Sequence, residues 1–535
     1  MGANDMQDDL FGRLEQLNEI GAALSSERDI NRLLEKILLA AKAITHADGG
    51  TLYLVTEDGK ALRFEILRND SLSIALGGSS GNAINFPDLP LQNESGAPND
   101  SMVAAYAAIN AKTVNIVDAY SEAGFDFSGT RKFDERTGYR SQSFLTVPMK
   151  NHENAIIGVL QLINSLDSIS AVKPFSPSDQ RLAESLASQA AIALTNRQLI
   201  SQLEVLFESF INLINLAIDE KSPYTGGHCQ RVPALTMMLA EAASATESGP
   251  LAEFRLSDTD FYELKIAGLL HDCGKVTTPV HVVDKATKLQ TIFDRIGLID
   301  TRFEVLKRDA QIATLRKLLD MRTKTDAEAE SACWAECWTE LERLDAERDF
   351  LRHANVGGEA MKPEDQQRVR DIGAGRHWRN TEGVDAEFLT SDEIENLSIR
   401  AGTLTAQERE VINHHIVATI KMLEALPWPT HLKSVPEYAG GHHERMDGKG
   451  YPKGLTREQM SWQARMMGIA DIFEALTAKD RPYKPGMKLS QALGIMKKFS
   501  EGGHIDPDLF EVFMRQRVYR RYAETFLDPS QIDES

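Results

Sequence analysis

The segment from Ser178 to Glu220 constrains the fold most, because it is long and contains no glycine or proline. Its apolar residues recur every three or four positions, as in a helix with one packed seam. Those positions are Leu182, Leu186, Ala190, Ala193, Leu199, Leu203, Leu206, Phe210 and Ile214, with the polar Asn196 in the same row. We expect one helix that connects two parts of the chain. Its seam would pack either against a second copy, in a parallel two-helix stalk, or inside the core of one chain.

The residues before this helix predict an antiparallel sheet. Residues 49–70 alternate apolar and polar side chains on both sides of Asp58-Gly59, a dipeptide typical of hairpin turns. Residues 143–164 have the same character around a short polar turn. Helical spacing over residues 10–44 predicts helices beside the sheet. The N-terminal fold is therefore predicted to be α+β, with an antiparallel sheet flanked by helices.

Composition limits the classes of function. The chain has 535 residues, enough for two or three domains, and a formal net charge of -20. Nucleic acids and anionic membranes are bound by surfaces of positive potential, so this charge argues against a general binder of either. No uninterrupted apolar stretch approaches the roughly 20 residues of a membrane span, and the acidic N-terminus does not resemble a secretion signal. We expect a cytoplasmic protein without a membrane span, and its four cysteines reduced.

Potential metal ligands are concentrated in the C-terminal part, where eleven of the thirteen histidines lie at or after His228. The stretch GGHHERMDGKGYP contains the adjacent His442 and His443. Adjacent imidazoles are poor core residues, because each has two ring nitrogens to satisfy, whereas a divalent cation satisfies them directly. His271-Asp272, at the end of an apolar helical run, adds a nitrogen and a carboxylate that can bridge two cations. The candidate ligands are His228, His271, Asp272, His415, His442, His443 and Asp471.

Three motifs here resemble those of the HD-GYP family, whose members are metal-dependent phosphodiesterases of the bacterial second messenger cyclic di-GMP. They are HDCGK at 271–275, GGHHERMDGKGYP at 440–452 and ADIFEALTAKDRPYK at 470–484. The resemblance implies an all-α HD-GYP helical bundle over residues 203–535. It also implies signal transduction by hydrolysis of cyclic di-GMP to pGpG, to GMP or to both.

The same resemblance implies two divalent metal ions, with iron or manganese favoured. One ion would be held by the basic HD set, and His415, His442 and His443 would complete the second position, with Asp272 as the bridging ligand. The basic HD set is His228, His271, Asp272 and Asp471. Some family members bind a third cation through a glutamate at the position of Tyr224, and a phenol is a poor replacement for a carboxylate. A binuclear site is therefore predicted.

Residues matching the family's substrate contacts are also present. Asp272 and Lys275 would be catalytic, and Lys275 and Arg481 would neutralise the phosphoryl oxygens. Tyr451 would contact the substrate. Glu444 and Asp447 are expected to hydrogen-bond the second ring nitrogens of the metal-ligating histidines rather than to touch metal.

The N-terminal part, residues 10–177, resembles a GAF domain, a ligand-sensing module. NIVDAY followed by KFDERTGYRSQSFLTVPM looks like the part of GAF domains that covers the ligand pocket. Asp134, Glu135 and Tyr139 are the implied ligand residues, and the implied ligand is a cyclic nucleotide. Phe133 abuts Asp134, however, whereas the cyclic-nucleotide binders place several residues between them. The alternative is a GAF fold that serves dimerisation without a small ligand.

A stretch at about 291–400 interrupts the HD-GYP resemblance. It is strongly helical and heavily charged, and we predict an antiparallel helical hairpin projecting from the catalytic domain. Trp334 and Trp338, four residues apart, form either a docking edge for a protein partner or the hairpin's own core. The remaining segment, 178–220, is the connecting helix, through which a homodimer is expected to form.

Two alternatives to a cyclic di-GMP hydrolase are open from the sequence. A catalytically silent cyclic di-GMP sensor or scaffold would act through the inserted hairpin. A hydrolase of another cyclic dinucleotide would keep the chemistry and change the bases, because the metal motif does not encode base recognition.

Overall fold

The computed structural model describes residues 17–533, except residues 25, 28, 94, 222–226, 322–326, 358–359 and 480–485. The chain divides into two compact units, and the division falls between Leu206 and Phe207. Each unit has its own hydrophobic core.

The N-terminal unit is built on one antiparallel sheet. Its strands are β1 (Ala47–Val55), β2 (Ala61–Asn69), β3 (Ile74–Gly77), β4 (Leu89–Pro90), β5 (Val114–Ile116), β6 (Phe144–Lys150), β7 (Ile156–Leu166) and β8 (Val172–Lys173). The strand order is β3-β2-β1-β7-β6-β5, with β4 paired to β2 and β8 to β7. The two predicted hairpins are confirmed, because β1 pairs with β2 and β6 pairs with β7, both antiparallel.

Helices cover the sheet, as the sequence predicts. They are α1 (Ile30–Thr45), α2 (Val103–Asn110), α3 (Ser128–Thr137) and the first part of α4 (Pro177–Lys221). Leu52 of β1 and Leu160 of β7 share one core with Ile37 of α1 and Leu186 of α4. Alternation in the strands and three-to-four spacing in the helices therefore aim the same apolar side chains at one core. The predicted α+β class is confirmed for this unit.

The C-terminal unit is mainly helical, which confirms the predicted helical class. Its bundle contains the end of α4 with α5 (His228–Ser244), α6 (Asp258–Leu270), α7 (Val280–Val283), α12 (Ala406–Glu424), α13 (Val435–Gly440), α14 (Trp462–Thr477), α15 (Leu489–Glu501), α16 (Pro507–Arg515) and α17 (Val518–Phe526). Val232 of α5, Ile266 of α6, Met467 of α14 and Phe513 of α16 are fully buried in one core.

Capping residues set where two helices of the bundle begin. A capping box of Ser257 and Asp260 opens α6, which ends at Leu270, directly before His271-Asp272. A second capping box, of Thr405 and Glu408, opens α12. Each box satisfies backbone N–H groups that the first helical turn leaves unpaired.

The segment that interrupts the bundle folds around a core of its own. It contains α8 (Ile296–Met321), α9 (Ala327–Asn355), α10 (Pro363–Gly375), β9 (His377–Arg379), β10 (Asp385–Glu387) and α11 (Ser391–Leu397). The helices α8 and α9 are antiparallel, as the ion pairs Arg352–Asp300 at 2.9 Å and Lys317–Glu336 at 3.0 Å require. The hairpin is therefore one part of a larger inserted unit.

Cysteines, rather than tryptophans, fill the outer part of this hairpin. Cys333 and Cys337 are buried, whereas Trp338 is 58% exposed and Trp334 is half-buried. Trp334 and Trp338 therefore do not form the main part of the hairpin's own core. A protein partner at this edge stays a prediction.

Helix α4 runs without interruption over 45 residues. Among the described residues it is the one helix whose length and composition would allow it to cross a membrane, and 11% of its most apolar window is buried. The cytoplasmic location stays a prediction.

Candidate metal centre

The first group of candidate ligands comes from three helices of the bundle. His228 is the first residue of α5, His271 and Asp272 directly follow α6, and Asp471 lies in α14. The His228 Nε2 atom lies 3.4 Å from His271 Nε2 and 3.3 Å from Asp471 Oδ1. Four residues separated by up to 243 positions therefore place their donor atoms at one point.

The second group joins α12 to the loop after α13. His415 lies in the middle of α12, and His442 and His443 follow α13 closely. The His443 Nε2 atom is 3.3 Å from His415 Nε2. The donor atoms of these three histidines all lie within 4.8 Å of one another.

Asp272 faces both groups. Its Oδ2 atom lies 3.1 Å from His228 Nε2 and 3.3 Å from His271 Nε2. Its Oδ1 atom lies 3.2 Å from His415 Nε2. One carboxylate therefore offers one oxygen to each group, which is the geometry of a bridging ligand.

Backbone carbonyl groups fix the orientation of three of these histidines. The Nδ1 atoms of His271, His415 and His442 lie 2.5–2.6 Å from the carbonyl oxygens of the residues three positions earlier in the chain. A carbonyl can only accept, so each Nδ1 carries the proton and each Nε2 turns a lone pair inward. Lone pairs that face one another repel unless a cation lies between them. The contact between His415 Nε2 and Asp272 Oδ1 is of this kind.

His228 is oriented by a carboxylate that the sequence analysis did not single out. Its Nδ1 atom lies 2.6 Å from Glu474 Oε2, and Arg231 Nε donates to Glu474 Oε1 at 2.8 Å. Glu474 and Arg231 each lie three residues after a candidate ligand, on the same helix. This spacing could have identified Glu474 and Arg231 from the sequence, because residues three apart on a helix share a face.

Burial favours the neutral form of two of the candidate ligands, His442 and His443. It lowers the pKa of His442 well below its ordinary value and the pKa of His443 to about 4. Burial raises the pKa of the Asp272 carboxyl. The Lys275 ammonium and the adjacent histidines outweigh burial and hold this pKa well below its usual range. Neutral imidazole and ionised carboxylate are the forms that bind metals.

Of the buried polar atoms that lack a hydrogen-bond partner among the described residues, two belong to this site. They are Asp272 Oδ1 and His442 Nε2. Buried polar atoms are nearly always satisfied, so an unsatisfied pair at one place points to an ion. The residues present therefore fit divalent cations that take nitrogen and oxygen ligands.

A close backbone approach holds the two groups together. A Cβ atom on Gly274 would lie 2.0 Å from the carbonyl oxygen of His415 and 2.6 Å from Thr419 N. The Gly274 amide instead donates to Thr419 Oγ1 at 2.9 Å. Only glycine leaves room for α12 to pass this near, so Gly274 sets the distance between Asp272 and His415.

The predicted substrate contacts lie beside the ligands where the structure describes them. The Lys275 ammonium pairs with Asp272 Oδ2, and its side chain is 20% exposed. The Tyr451 ring stacks on the His443 ring, with centroids 4.8 Å apart and planes at 22°. Arg481 and Tyr224 lie outside the described residues.

Glu444 and Asp447 do not hydrogen-bond the ring nitrogens of the candidate ligands, so the role expected of them is wrong. Glu444 accepts from the backbone amides of Lys453 at 2.7 Å and Leu455 at 2.8 Å, and so holds the end of its own loop. Asp447 accepts from Arg445 at 2.8 Å. Backbone carbonyls one helical turn earlier take the ring nitrogens of His271, His415 and His442, and Glu474 takes that of His228.

The predicted GAF ligand residue Asp134 is engaged inside the N-terminal unit. It is buried and accepts from the Tyr120 hydroxyl at 2.9 Å and from the amide and hydroxyl of Ser141, both at 2.8 Å. Its neighbour Glu135 is exposed. Asp134 therefore ties the end of α3 to the loop that precedes β6.

Tyr139 is engaged in the same way. Its hydroxyl donates to Asp48 Oδ2 at 2.5 Å and accepts from Asn164 Nδ2 at 2.8 Å. A ligand that used Tyr139 would replace these bonds. A cyclic nucleotide at this unit stays a prediction.

Two family models match the chain. Residues 29–194 match the GAF domain, and residues 390–509 match the HD domain. The HD match includes His415, His442, His443 and Asp471. The other three candidate ligands, His228, His271 and Asp272, precede this match in the chain.

Curated relatives match short stretches of the chain. A stretch of 88 residues is 43% identical to the 3'3'-cGAMP-specific phosphodiesterase 1 of Vibrio cholerae and covers 16% of this chain and 20% of that protein. Another of 74 residues is 46% identical to a cyclic di-GMP phosphodiesterase of Pseudomonas aeruginosa and covers 14% and 17%. A third of 132 residues is 31% identical to a cyclic di-GMP phosphodiesterase of Thermotoga maritima and covers 24% and 35%. The matches thus span about a third or less of each of these relatives. The chain contains a GAF domain at residues 29–194 and an HD domain that includes residues 390–509.

Proposed function

We propose that this chain is a metal-dependent phosphodiesterase of the HD-GYP type that hydrolyses cyclic di-GMP to pGpG, to GMP or to both. The observation that carries the proposal is the placement of Asp272 between two groups of inward-facing histidine nitrogens. Such a site suits hydrolysis of a phosphodiester, whose reaction needs an activated water and stabilisation of negative charge. The names of the matched relatives support the substrate class.

The proposed cofactors are two divalent cations, with iron or manganese favoured by the family resemblance alone. One would be held by the HD set of His228, His271, Asp272 and Asp471, and the other by Asp272 with His415, His442 and His443. A pair of such cations, when bound, lowers the pKa of water and polarises a phosphoryl oxygen. The proposed domain boundaries are 10–177 for the GAF sensor, 178–220 for the connecting helix and 203–535 for the HD-GYP domain, with an insertion at about 291–400.

The protein's own side chains have defined parts in this proposal. Lys275, partly exposed beside Asp272, is placed to meet a phosphoryl oxygen as negative charge grows on it. Tyr451 is held against His443 and would present its ring or hydroxyl to the substrate. Glu474 and Arg231 are positioning residues, because they act on the substrate only through His228.

Lys275→Ala is expected to lower kcat by about 100-fold, the usual effect of removing one charge-stabilising donor, while the metal content stays unchanged. Elemental analysis and single-turnover rates on the purified variant measure both. Lys449→Ala is the matched control, because Lys449 lies in the motif at 440–452 and its side chain is 78% exposed. Loss of metal from the Lys275 variant would assign this lysine a structural role and remove it from the proposed catalytic set.

A hydrolase of another cyclic dinucleotide is the second candidate, favoured by the relative named as 3'3'-cGAMP-specific. Parallel assays with cyclic di-GMP and 3'3'-cGAMP at equal concentration decide between them through kcat/KM. A catalytically silent sensor is the remaining alternative. Against it stands the presence of all seven predicted ligands, six of which belong to sets of three whose donor atoms lie within 4.8 Å of one another.

We also propose that the GAF domain regulates hydrolysis through α4. Near its C-terminal end, Asn215 donates to the carbonyl of Leu269 at 2.9 Å, and Lys221 donates to the carbonyl of Val276 at 2.5 Å. These carbonyls lie on either side of the segment that carries His271 and Asp272. A rotation of α4 would therefore move the backbone that holds the first ligand group.

Insertion of two residues after Asn196 is expected to change the hydrolysis rate and to abolish any response to added cyclic AMP or cyclic GMP. Two residues rotate the following part of the helix by about 200°. Seven inserted residues complete nearly two turns and are expected to leave rate and response close to those of the unmodified chain. An unchanged rate and response in both variants would exclude α4 as the route.

A further inference from the structure

Lys285 is a buried lysine in the segment that follows the HDCGK motif. Its side chain is 1% exposed. Its ammonium donates to both carboxylate oxygens of Glu408, at 2.7 and 2.8 Å, and to Asn396 Oδ1 at 2.8 Å. An ammonium has three N–H groups, so each of them has an acceptor here. Charged side chains are almost never fully buried unless they are paired, so the contact with Glu408 is what allows Lys285 to be buried.

The contacts of Lys285 join three parts of the C-terminal unit. Lys285 lies two residues after α7, Glu408 is in the first turn of α12, and Asn396 belongs to α11 of the inserted unit. The main chain takes part as well, because Thr403 Oγ1 donates to the carbonyl oxygen of Lys285 at 2.8 Å. Lys285 therefore holds the N-terminal end of α12 through both its side chain and its backbone.

The face of α12 that carries Glu408 also carries the candidate ligand His415. Seven residues complete nearly two turns of an α-helix, so these two side chains lie on one side of it. Thr419, four residues further, continues the row and accepts the amide of Gly274 at 2.9 Å. The segment 271–285 is thus attached to this face at two points. His415 lies between them, with its Nε2 atom 3.2 Å from Asp272 Oδ1.

Two attachments on one face fix both the distance and the tilt of a helix, whereas one attachment leaves it free to pivot. Gly274 provides the attachment on the C-terminal side of His415, and Lys285 provides the one on the N-terminal side. Without the contacts of Lys285, the N-terminal half of α12 is free to swing away from Asp272. His415 would move with it.

Glu408 is the ionised partner in this contact. Burial raises the pKa of its carboxyl, but the Lys285 ammonium and the Thr405 amide outweigh burial and hold this pKa below its usual range. The same carboxylate accepts from the Thr405 amide at 2.8 Å, in the capping box that opens α12. The first turn of the helix is therefore built around the charge that Lys285 neutralises.

A second buried lysine in the same segment has different partners. Lys288 is 3% exposed, and its ammonium donates to the carbonyl of Leu397 at 3.1 Å and to Met361 Sδ at 3.4 Å. Both partners belong to the inserted unit. Lys288 therefore holds the inserted unit, whereas Lys285 also holds α12.

We propose that Lys285 is a positioning residue for the metal centre, which holds His415 beside Asp272 through Glu408 and α12. This role rests on the two divalent cations of the proposed function but not on hydrolysis of any substrate. The inserted unit shares in the contact through Asn396.

Hydrogen exchange on the metal-free full chain tests the attachment itself. Lys285→Met is expected to speed exchange of the backbone amides at 409–416 by about 10-fold or more, because it leaves the Glu408 charge uncompensated at the start of α12. Lys288→Met is the matched control, because it removes a similarly buried ammonium and should leave exchange in α12 unchanged. Unchanged exchange in the Lys285 variant, or equal acceleration in the control, would overturn the proposal.

Titration of the chelator-treated full chain with Mn²⁺ tests the consequence for the site. Glu408→Gln is the milder variant, because glutamine keeps the capping box while the charge is lost. It and Lys285→Met are each expected to weaken one of two bound Mn²⁺ by about 10-fold or more, as loss of a residue that orients a metal ligand does. The double variant should bind no more weakly than Lys285→Met, because both changes remove the same contact. Glu410→Gln, which alters an exposed carboxylate in the same turn, should bind as the unmodified chain does.

The two measurements separate failure of this role from failure of the proposed function. Fewer than two Mn²⁺ on the unmodified chain would contradict the proposed pair of cations, and the exchange result would still decide whether Lys285 holds α12. Two Mn²⁺ bound at full affinity by both the Lys285 and the Glu408 variants would refute the positioning role.

Discussion

Asp272→Ala is expected to abolish hydrolysis of cyclic di-GMP and to reduce the metal content from about two ions per chain to one or none. Asp272 offers one oxygen to each group of histidines, so its loss removes a ligand from both proposed cations at once. It also leaves the Lys275 ammonium without its carboxylate partner inside the site. The helices that carry the histidines are held by their own cores, so the fold should survive.

Elemental analysis, product chromatography and circular dichroism on the same preparation separate these effects. Glu424→Ala is the matched control: it removes one carboxylate from the exposed last residue of α12, the helix that carries His415. We expect this control to keep its metals and its rate. Full activity with two ions per chain in the Asp272 variant would refute the bridging assignment.

Gly274→Ala is expected to lower the hydrolysis rate by about 100-fold or more, as misplacement of reacting groups by about 1 Å can do. The added Cβ would lie 2.0 Å from the His415 carbonyl, and a backbone atom cannot move aside as a flexible side chain can. Helix α12 must therefore shift away from Asp272. Overpacking of this kind also destabilises a fold by about 1–3 kcal/mol.

The control for this substitution is Gly494→Ala, because a Cβ on Gly494 of α15 meets nothing within 4 Å. An alanine there should be neutral or stabilising, since alanine is the better helix former by about 1 kcal/mol. The rate, the ratio of bound metal to protein and the thermal midpoint are measured for both variants. An unchanged rate in the Gly274 variant would show that α12 can move without cost to the site.

Much of the candidate site could be predicted from residue types alone. Histidine and aspartate at unusual density identify ligands, and the structure places donor atoms of His228, His271 and Asp272 together. The partners that orient the rings could not be predicted in the same way. A helix carbonyl three residues back is available to any histidine, so only the fold reveals which rings use it. Glu474 resembled an ordinary helical glutamate until its carboxylate was seen between His228 and Arg231.

The fold was predictable where periodicity is long. The 45 residues of α4 and the two hairpins of the sheet have repeats that local physics determines. Short elements have too few residues for a repeat, and β9 and β10, with three residues each, were not predicted. Asp134 was expected at a ligand pocket, but its partners Tyr120 and Ser141 are brought near it by a loop that carries no periodic signal.

Hydrolysis is measured most directly by chromatography of the products formed from cyclic di-GMP by the purified full chain. The protein is loaded with iron or manganese, its metal content is measured, and 3'3'-cGAMP is assayed beside cyclic di-GMP. We expect cyclic di-GMP to disappear with formation of pGpG or GMP, and neither product to form with the Asp272→Ala variant. Intact cyclic di-GMP and intact 3'3'-cGAMP after incubation with protein that holds two ions per chain would contradict this expectation and would favour a catalytically silent sensor.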